Sequence, residues 1–260
     1  MAPPPPTIFP ALWQPRSAAG LVRVGPEEDG GYVIGAAALA RTKRLVSGGL
    51  FDDWRFEADF QARTGCEMDC YDPSVTAKFW AKRYYAYAKA IAAGRTKPRD
   101  FLRYLEFNRF FDGRRNRHHR AYLTYPNWGT DLRAAIGPAS DASVFLKIDI
   151  EGSEYRVLPD IIARQDAISG FVIEFHDVDL HIDRISRFIA DAAPWFFVEH
   201  LHINNYGALA PNGLPTAIEM SFGRVDQAAG AGTSAAAAYP LPGLDVPNNP
   251  DAADIAFTFA

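Results

Sequence analysis

Polar side chains suited to acid–base or ligand chemistry follow apolar segments at four places in the chain. They are Asp72, Asp149 with Glu151, Glu174 with His176, and the run from His200 to Asn205. Apolar segments without polar alternation are typical of strands buried on both faces in a parallel sheet. Because open α/β sheets bind ligands at the carboxyl ends of their strands, we expect these side chains to converge on one site.

The segment from Val144 to Glu154 is the centre of this pattern. Its apolar run predicts a buried strand that ends at Asp149, and Gly152 predicts a tight turn into a helix over about 153–164. The alternative is an ordinary strand end with two solvated acids.

A second unit precedes it in the chain. A strand from Arg44 runs into Ser47-Gly48-Gly49, a helical pattern follows, and a strand from Glu67 ends at Asp72. This order of elements is typical of a Rossmann-like nucleotide-binding unit: a strand, a glycine turn, a helix and a second strand that ends in an acid. In such a unit the acid accepts hydrogen bonds from the ribose hydroxyls. The GxGxxG fingerprint itself is absent.

Length and composition limit the class of protein. The chain has 260 residues, of which 48% are hydrophobic, and this fits one large α/β domain. No apolar run approaches the roughly 18 residues of a membrane span, and the proline-rich start lacks signal-peptide features, so we expect a cytoplasmic protein. The two cysteines, Cys66 and Cys70, are too few for a disulfide framework and are expected to be reduced core residues.

Charge is distributed unevenly along the chain. The net charge is −4, yet 13 Lys or Arg face 3 acids between Lys78 and Arg120, with many aromatic residues interleaved. We expect residues 74–120 to form a basic, aromatic helical insertion that acts as a lid over the sheet edge. Three roles stay open: an amphipathic helical pair with its aromatics in the core, a cap recognising an anionic or sugar acceptor, or a surface binding RNA or a membrane.

We expect residues 1–260 to form a single domain, and shorter sequence patterns predict its remaining elements. Residues 1–20 are expected to form an arm, and Asp29-Gly30-Gly31 predicts the turn of a β-hairpin. Further predictions are a third strand at 121–125, a short helix at 129–136, a helix at 178–192, and strands near 170–176, 195–205 and 216–222. Residues 224–260 are predicted to hold a loop and a late edge strand near 255–259.

Several of these segments resemble a known family. The sequence KIDIEGSE, from Lys147 to Glu154, resembles the KIDxEGxE signature of FkbM-like methyltransferases. SGGLFDDWRFE, from Ser47 to Glu57, resembles the S-x-G-x-x-x-D-x-x-F-E loop of a related methyltransferase-like branch, and CYDP, from Cys70 to Pro73, resembles its strand ending in an acid and a proline. The segments VIEFH (172–176), HLHINN (200–205) and IEM (218–220) follow in the expected order, so the resemblance spans about 20–223 without the insertion.

The resemblance implies a class I methyltransferase fold: a seven-stranded, mostly parallel sheet with one antiparallel strand and helices on both faces. It also implies S-adenosylmethionine (SAM) as cofactor and O-methylation of a carbohydrate or small natural product. The cofactor-binding residues carried over from the resemblance are Ser47, Gly48, Gly49 and Asp72, with Arg23, Asp29 and Gly30 as further contacts.

Methyl transfer to a hydroxyl requires a base or a metal ion that removes the hydroxyl proton. Imidazole titrates near neutrality, so His176 is the first candidate base; Asp149 would orient it or replace it, and Glu151 would face the acceptor. Glu174, His202 and Asn204 are candidate substrate-binding residues. Asp149, Glu174 and His176 are also a candidate site for Mg²⁺ or another divalent ion, although each of these side chains could instead be structural.

Two other classes of function are compatible with the sequence. One is a methyltransferase-fold binding module that presents the basic insertion to RNA or another anionic partner without catalysis. The other is an NAD(P)-dependent oxidoreductase on a Rossmann sheet, against which the missing GxGxxG counts.

Overall fold

The computed structural model of the chain describes residues 6–16, 20–94, 102–124, 126–227 and 238–260. Residues 1–5 and 17–19 of the predicted arm, 95–101 of the predicted insertion and 228–237 of the predicted C-terminal loop lie outside these residues. The strands are β1 (Thr7–Phe9), β2 (Leu21–Val24), β3 (Tyr32–Gly35), β4 (Arg44–Gly48), β5 (Glu67–Tyr71), β6 (Asn116–His119), β7 (Val144–Ile148), β8 (Ile168–His176), β9 (Phe196–Ile203), β10 (Ala217–Arg224) and β11 (Phe257–Phe259). The helices are α1 (Ala36–Arg41), α2 (Arg55–Thr64), α3 (Ala77–Ala92), α4 (Arg103–Phe110), α5 (Leu132–Ile136), α6 (Leu158–Ala163) and α7 (Val178–Ala192).

Seven strands form the main sheet, in the spatial order β6-β5-β4-β7-β8-β10-β9. β10 is antiparallel to both of its neighbours, and the other pairings are parallel. The order reverses between β4 and β7, which makes this the topological switch point where open α/β sheets bind ligands. The predicted fold, a Rossmann-like seven-stranded sheet with one antiparallel strand, is confirmed.

Helices cover both faces of the sheet because its strands are apolar on both sides. Leu45 and Phe145 pack into one core with residues of α1 and α2, whereas their neighbours Val46 and Leu146 pack into another with residues of α5, α6 and α7. Adjacent strand residues point to opposite faces, so an uninterrupted apolar run must enter two separate cores. Cys66 and Cys70, both buried and free, lie in the first core as predicted.

The predicted third strand at 121–125 is wrong. The strand that pairs with β5 is β6, inside the basic run, and residues 121–124 form bends with an isolated bridge from Tyr122 to Gly129. Asp69 on β5 accounts for two residues of the basic run, because its carboxylate accepts hydrogen bonds from Arg117 (2.7 Å) and His119 (2.7 Å). Arg44 on β4 donates to the same carboxylate at 2.9 Å. A charged edge strand also discourages pairing with other chains.

The predicted late strand at 255–259 is present as β11, but it does not extend the main sheet. It pairs in parallel with β1 of the N-terminal arm. The predicted hairpin is present as antiparallel β2 and β3, with a connection longer than a two-residue turn. The helix expected at 153–164 is divided into a short 3₁₀ turn at Glu154–Arg156 and α6. Within the described ranges, no helix is long and apolar enough to cross a bilayer.

Candidate active site

A cavity of about 780 Å³ opens at the carboxyl ends of β4, β5, β7 and β8. Eight of the predicted site residues line it: Asp29, Gly30, Gly49, Asp72, Asp149, Glu151, Glu174 and His176. The expected convergence of strand ends on one site is therefore present. Among the described residues, Arg23, Ser47, Gly48, His202 and Asn204 are predicted site residues that do not line the cavity.

Asp149 is held at the cavity by two partners. The Lys147 ammonium donates to Asp149 Oδ2 at 3.1 Å and to the Gly49 carbonyl at 2.6 Å. The Tyr32 hydroxyl lies 3.2 Å from the same carboxylate oxygen. Burial alone would lower the pKa of Lys147, but the charges of Asp149 and Glu57 outweigh it and raise that pKa. The lysine is therefore a fixed cation that anchors Asp149 to the glycine loop.

Glu174 lies deeper in the same wall and shares Tyr32 with Asp149. Its Oε2 lies 2.9 Å from the Tyr32 hydroxyl, and its Oε1 accepts from Asn204 Nδ2 at 2.7 Å. A tyrosine hydroxyl has one proton to donate, so it satisfies both carboxyl groups only if one of them supplies a proton. Burial and then the charges of Asp149 and Glu219 raise the pKa of Glu174 well above its usual range.

His176 is oriented by a carboxylate behind it. Its Nδ1 lies 3.0 Å from Glu154 Oε1, and Glu154 is completely buried. The same oxygen accepts hydrogen bonds from the backbone N–H groups of Ile150 and Gly152, each at 3.1 Å. Burial lowers the pKa of His176, but the hydrogen bond and charge of Glu154, followed by Glu174 and Asp149, raise it to about 9. His176 is consequently a cation at neutral pH in the ligand-free protein.

Glu151 stands at the rim of the cavity. Its carboxylate Oε2 lies 3.5 Å from His176 Nε2, and its side chain is 86% exposed. The residue has a φ of 52°, in the left-handed region that side chains other than glycine rarely adopt. The turn thereby carries Glu151 over the imidazole rather than away from it.

The glycine loop after β4 has the tight geometry that its sequence predicts. Gly49 has a φ of 84°, and a Cβ there would lie 1.7 Å from the Asp149 carbonyl oxygen. Asp72 fixes the following residues, because its Oδ2 accepts from the backbone N–H groups of Leu50 (3.0 Å) and Phe51 (2.8 Å). Burial raises the pKa of Asp72, but the hydrogen bonds from Ser74 and from these N–H groups outweigh it and lower that pKa. Asp72 thus keeps its charge while it shapes the loop.

Three residues predicted to bind the cofactor contact other parts of the protein and do not line the cavity, so their cofactor role stays a prediction. Ser47 is buried and its hydroxyl donates to Glu57 Oε1 at 2.6 Å. A Cβ on Gly48 would lie 3.0 Å from the side chain of Ile150. The Arg23 guanidinium donates to the carbonyls of Pro26 and Glu28, each at 3.0 Å, and so holds the hairpin connection.

The two residues expected on β9 and just after it are buried behind the cavity wall. His202 lies between Glu219 (3.4 Å) and Asp254 (3.0 Å), which outweigh the effect of burial and raise its pKa to about 10. Asn204 bridges the cavity-lining acids, donating to Glu174 and, at 3.4 Å, to Asp29. Any contact of Asn204 with a ligand is therefore indirect.

A metal ion fits this set of residues less well than the hydrogen bonds already present. Ligand atoms of Asp149, Glu151 and His176 lie within 4.8 Å of one another, with Glu151 in the place predicted for Glu174. However, Asp149 Oδ2 already faces the Lys147 ammonium, and a metal-bound imidazole must be neutral, whereas Glu154 favours the imidazolium. The predicted metal site stays a prediction, and we derive no chemistry from it.

The predicted lid packs on the glycine loop. The Tyr87 hydroxyl donates to Asp52 at 2.7 Å, Arg83 pairs with the same carboxylate, and Phe79 packs edge-on against Phe51. In the part of the chain that the structure describes, no residue of α3 or α4 lines the cavity. The insertion therefore supports the rim, and its role as a lid stays a prediction.

Four residues of the site were not singled out from the sequence. Tyr32 follows the predicted hairpin turn, and Lys147 and Glu154 belong to the KIDIEGSE segment. The sequence therefore contains the motifs of these three residues, but it does not indicate which side chains they contact. Asn248 lies in the C-terminal segment, is 1% exposed and lines the cavity. Its neighbours in the sequence gave no signal of its position.

No protein-family model and no curated protein matches the chain. The FkbM-like resemblance therefore rests on the motifs alone.

Solved structures of a methyltransferase, a synthase and a protein complex are similar to the chain. A 23S rRNA methyltransferase, ErmE, is 11% identical, with a TM-score of 0.42, over 72% of this chain and 64% of that chain. A spermidine synthase from Thermotoga maritima is 14% identical, with a TM-score of 0.41, over 72% and 55%. A chain of a fibrillarin/Nop5p complex is 12% identical, with a TM-score of 0.37, over 70% and 72%. The match spans less than two thirds of the first two chains.

Proposed function

We propose that the chain is a SAM-dependent methyltransferase that transfers the methyl group to a hydroxyl of a carbohydrate or small natural product. One observation carries the proposal. A glycine loop after β4, an ionised acid at the end of β5 and the acids and imidazole ending β7 and β8 all line one cavity at the topological switch point. The motif resemblance to FkbM-like methyltransferases supports the same conclusion.

The cavity lining suits a cofactor with a positive charge. Its acids include Asp29, Asp72, Asp149 and Glu151, and the Lys147 ammonium is already committed to Asp149. Asp72 would hold the ribose, and the backbone around Gly49 would approach the amino-acid end or the ribose. Bound SAM supplies a methyl group activated on a sulfonium sulfur.

His176 is the residue we propose as base, after it loses a proton. Glu154 holds Nδ1, so the proton that remains on neutral imidazole stays on Nδ1 and leaves Nε2 to accept the hydroxyl proton. With a pKa of about 9, roughly one imidazole in a hundred is neutral at pH 7 in the empty site. A positive ligand nearby lowers that pKa and increases the neutral fraction.

The acceptor is tested directly by transfer of a labelled methyl group. Purified protein is incubated with methyl-tritiated SAM and, in separate reactions, a sugar and natural-product panel or total RNA. Label in a sugar or natural product supports the proposal, and its release by conditions that cleave methyl ethers but not N-methyl groups identifies oxygen as the acceptor atom. Label in RNA alone would replace the proposed acceptor class with nucleic acid.

A further inference from the structure

One side of α3 carries three lysines and an exposed aromatic ring. Lys78, Lys82, Tyr85 and Lys89 follow one another at helical spacing, so they fall within about 60° of one side of the helix, over a length of about 16 Å. All four side chains are exposed, and 65% of Tyr85 is accessible to solvent. Together they form the α3 strip, a continuous basic face with a ring between its lysines.

The opposite side of α3 packs on the rest of the protein. The Trp80 ring contacts Tyr104 of α4, with centroids 5.4 Å apart. Arg83 and Tyr87 both bind the Asp52 carboxylate beside the glycine loop. These contacts fix the helix from behind, and no described residue of α3 lines the cavity. The α3 strip is therefore held facing outward, away from the candidate active site.

The lysines of the α3 strip lack the acidic partners that other bases of the insertion have. Arg83 and Arg103 pair with acids that follow the glycine loop, and Arg117 pairs with an acid on β5. Among the described residues, none of the three lysines forms an ion pair with an acid, and the Lys89 ammonium stands 4.8 Å from the centre of the Tyr85 ring. Their charge is therefore available to an anionic partner.

We propose that the α3 strip binds single-stranded nucleic acid. Proteins that bind single strands combine basic side chains for the phosphates with aromatic rings on which unpaired bases stack. The α3 strip has both, because Lys82 and Lys89 lie on either side of the exposed Tyr85 ring along the helix. A duplex keeps its bases stacked within the helix and would leave the ring without a partner.

Two other anionic partners fit the α3 strip less well. A membrane surface requires a broad apolar face beside the basic residues, but the exposed positions next to the lysines are Ala81, Ala88 and Ala92. Alanine side chains bury too little apolar surface to hold a helix in a bilayer interface. An acidic protein segment would pair with the lysines, but it does not account for the exposed ring between them.

The cavity itself disfavours a nucleic-acid strand. Its lining includes the acids Asp29, Asp72, Asp149 and Glu151, which repel phosphates. The strand is therefore a partner bound outside the cavity, and it is distinct from the acceptor of the proposed methyl transfer.

Fluorescence anisotropy of a fluorescein-labelled oligouridine, titrated with the whole chain over a series of KCl concentrations, tests the inference. In the triple variant Lys78→Gln, Lys82→Gln, Lys89→Gln we expect roughly tenfold or more weaker binding at low salt. The slope of log Kd against log[KCl] should also fall by about 2, because each phosphate contact with a single strand contributes about 0.7. Tyr85→Ala should weaken binding roughly fivefold or more without changing the slope, since stacking releases no counterions, whereas Tyr85→Phe should keep the affinity.

The matched control is the triple variant Lys43→Gln, Arg133→Gln, Arg187→Gln, which removes the same charge from exposed positions outside the insertion. An equal change of slope in this control would show that net charge alone governs binding and would overturn the inference. So would the absence of oligouridine binding by the wild type, an unchanged affinity in Tyr85→Ala, or equal affinity for an RNA duplex of the same length. Lysine-dependent retention on phosphatidylserine vesicles without oligouridine binding would replace the strand with a membrane surface.

The inference does not rest on the proposed function, because the substituted side chains lie outside the cavity. SAM binding and methyl transfer to a small acceptor should be unchanged in the lysine triple variant. Oligouridine binding through the α3 strip by a protein that does not bind SAM would support the inference and contradict the proposed function. SAM binding without oligouridine binding would leave the proposed function standing and overturn the inference.

Discussion

His176 Nδ1 lies 3.0 Å from Glu154 Oε1, and Glu154 is itself fixed by the N–H groups of Ile150 and Gly152. The turn after β7 therefore sets the orientation and the charge of an imidazole at the end of β8. This relationship links the KIDIEGSE segment to the proposed base His176. Glu154, the last residue of the segment, holds Nδ1 of the imidazole, so Nε2 faces Glu151 at the rim of the cavity.

The pH dependence of methyl transfer follows from this pair. Only neutral His176 accepts a proton, so with its pKa near 9 the rate should rise with pH up to about 9. Glu154→Gln removes the charge that raises this pKa and should move the rising limb to lower pH, with a lower rate at the plateau. The measurement is kcat/KM against pH for both proteins. An unshifted limb would exclude His176 as the titrating base.

Stability should respond to the same pair with a definite sign. The folded-state pKa of His176 is raised, so its contribution is complete below the unfolded value of about 6.5 and is lost as pH rises through about 9. The stability difference between wild type and Glu154→Gln should accordingly shrink above pH 9 in urea unfolding. Since Gln keeps an oxygen for the two backbone N–H groups, a difference that does not change with pH would contradict the charge interaction.

The Tyr32 hydroxyl contacts both Asp149 and Glu174, so we expect it to contribute measurably to the free energy of unfolding. Tyr32→Phe keeps the ring, which packs edge-on against Phe56 at 5.4 Å, but removes the group shared by Asp149 and Glu174. We expect a loss of about 1–3 kcal/mol in the free energy of unfolding. Tyr206→Phe, at a cavity residue that is 61% exposed, is the control and should change stability little. Equal effects of the two substitutions would argue against the shared hydrogen bond.

Gly49 should not tolerate any side chain. In Gly49→Ala the Cβ would meet the Asp149 carbonyl at 1.7 Å in addition to adopting a left-handed φ of 84°. Gly113→Ala isolates the backbone cost alone, because Gly113 has a φ of 73° and open space around its Cβ position. We expect about 1 kcal/mol of destabilisation at Gly113 and several times more at Gly49, measured by denaturant unfolding. Similar values would show that the loop moves away from β7 at little cost.

The sequence predicted those elements whose burial pattern is unmistakable. β7, β8 and α7 lie within two residues of the predicted bounds because long apolar or amphipathic runs dominate them. β6 was missed because an edge strand needs few apolar residues, and here it uses arginine and histidine to pair with Asp69. Its position depends on a partner 48 residues earlier, which no local pattern reveals.

The site was predicted in position but not in its internal contacts. Strand ends located Asp72, Asp149, Glu174 and His176 at one cavity, since sheet topology alone brings them together. Topology does not determine which groups pair, so the bonds of Glu154 to His176 and of Asn248 to Asp29 could not be predicted. The contacts of His202 could not be predicted for the same reason: its partner Asp254 comes from a segment without a recognisable motif.

The most direct test of the proposed function is calorimetric titration of the protein with SAM and S-adenosylhomocysteine, together with Asp72→Ala and the control Asp160→Ala. Asp160 pairs with Arg133 and does not line the cavity. We expect saturable binding of both compounds to the wild type and to the control, and at least tenfold weaker binding to Asp72→Ala with its fold retained by circular dichroism. The absence of binding to the wild type would contradict the proposal, and saturable binding of NAD(P) instead would support the oxidoreductase alternative.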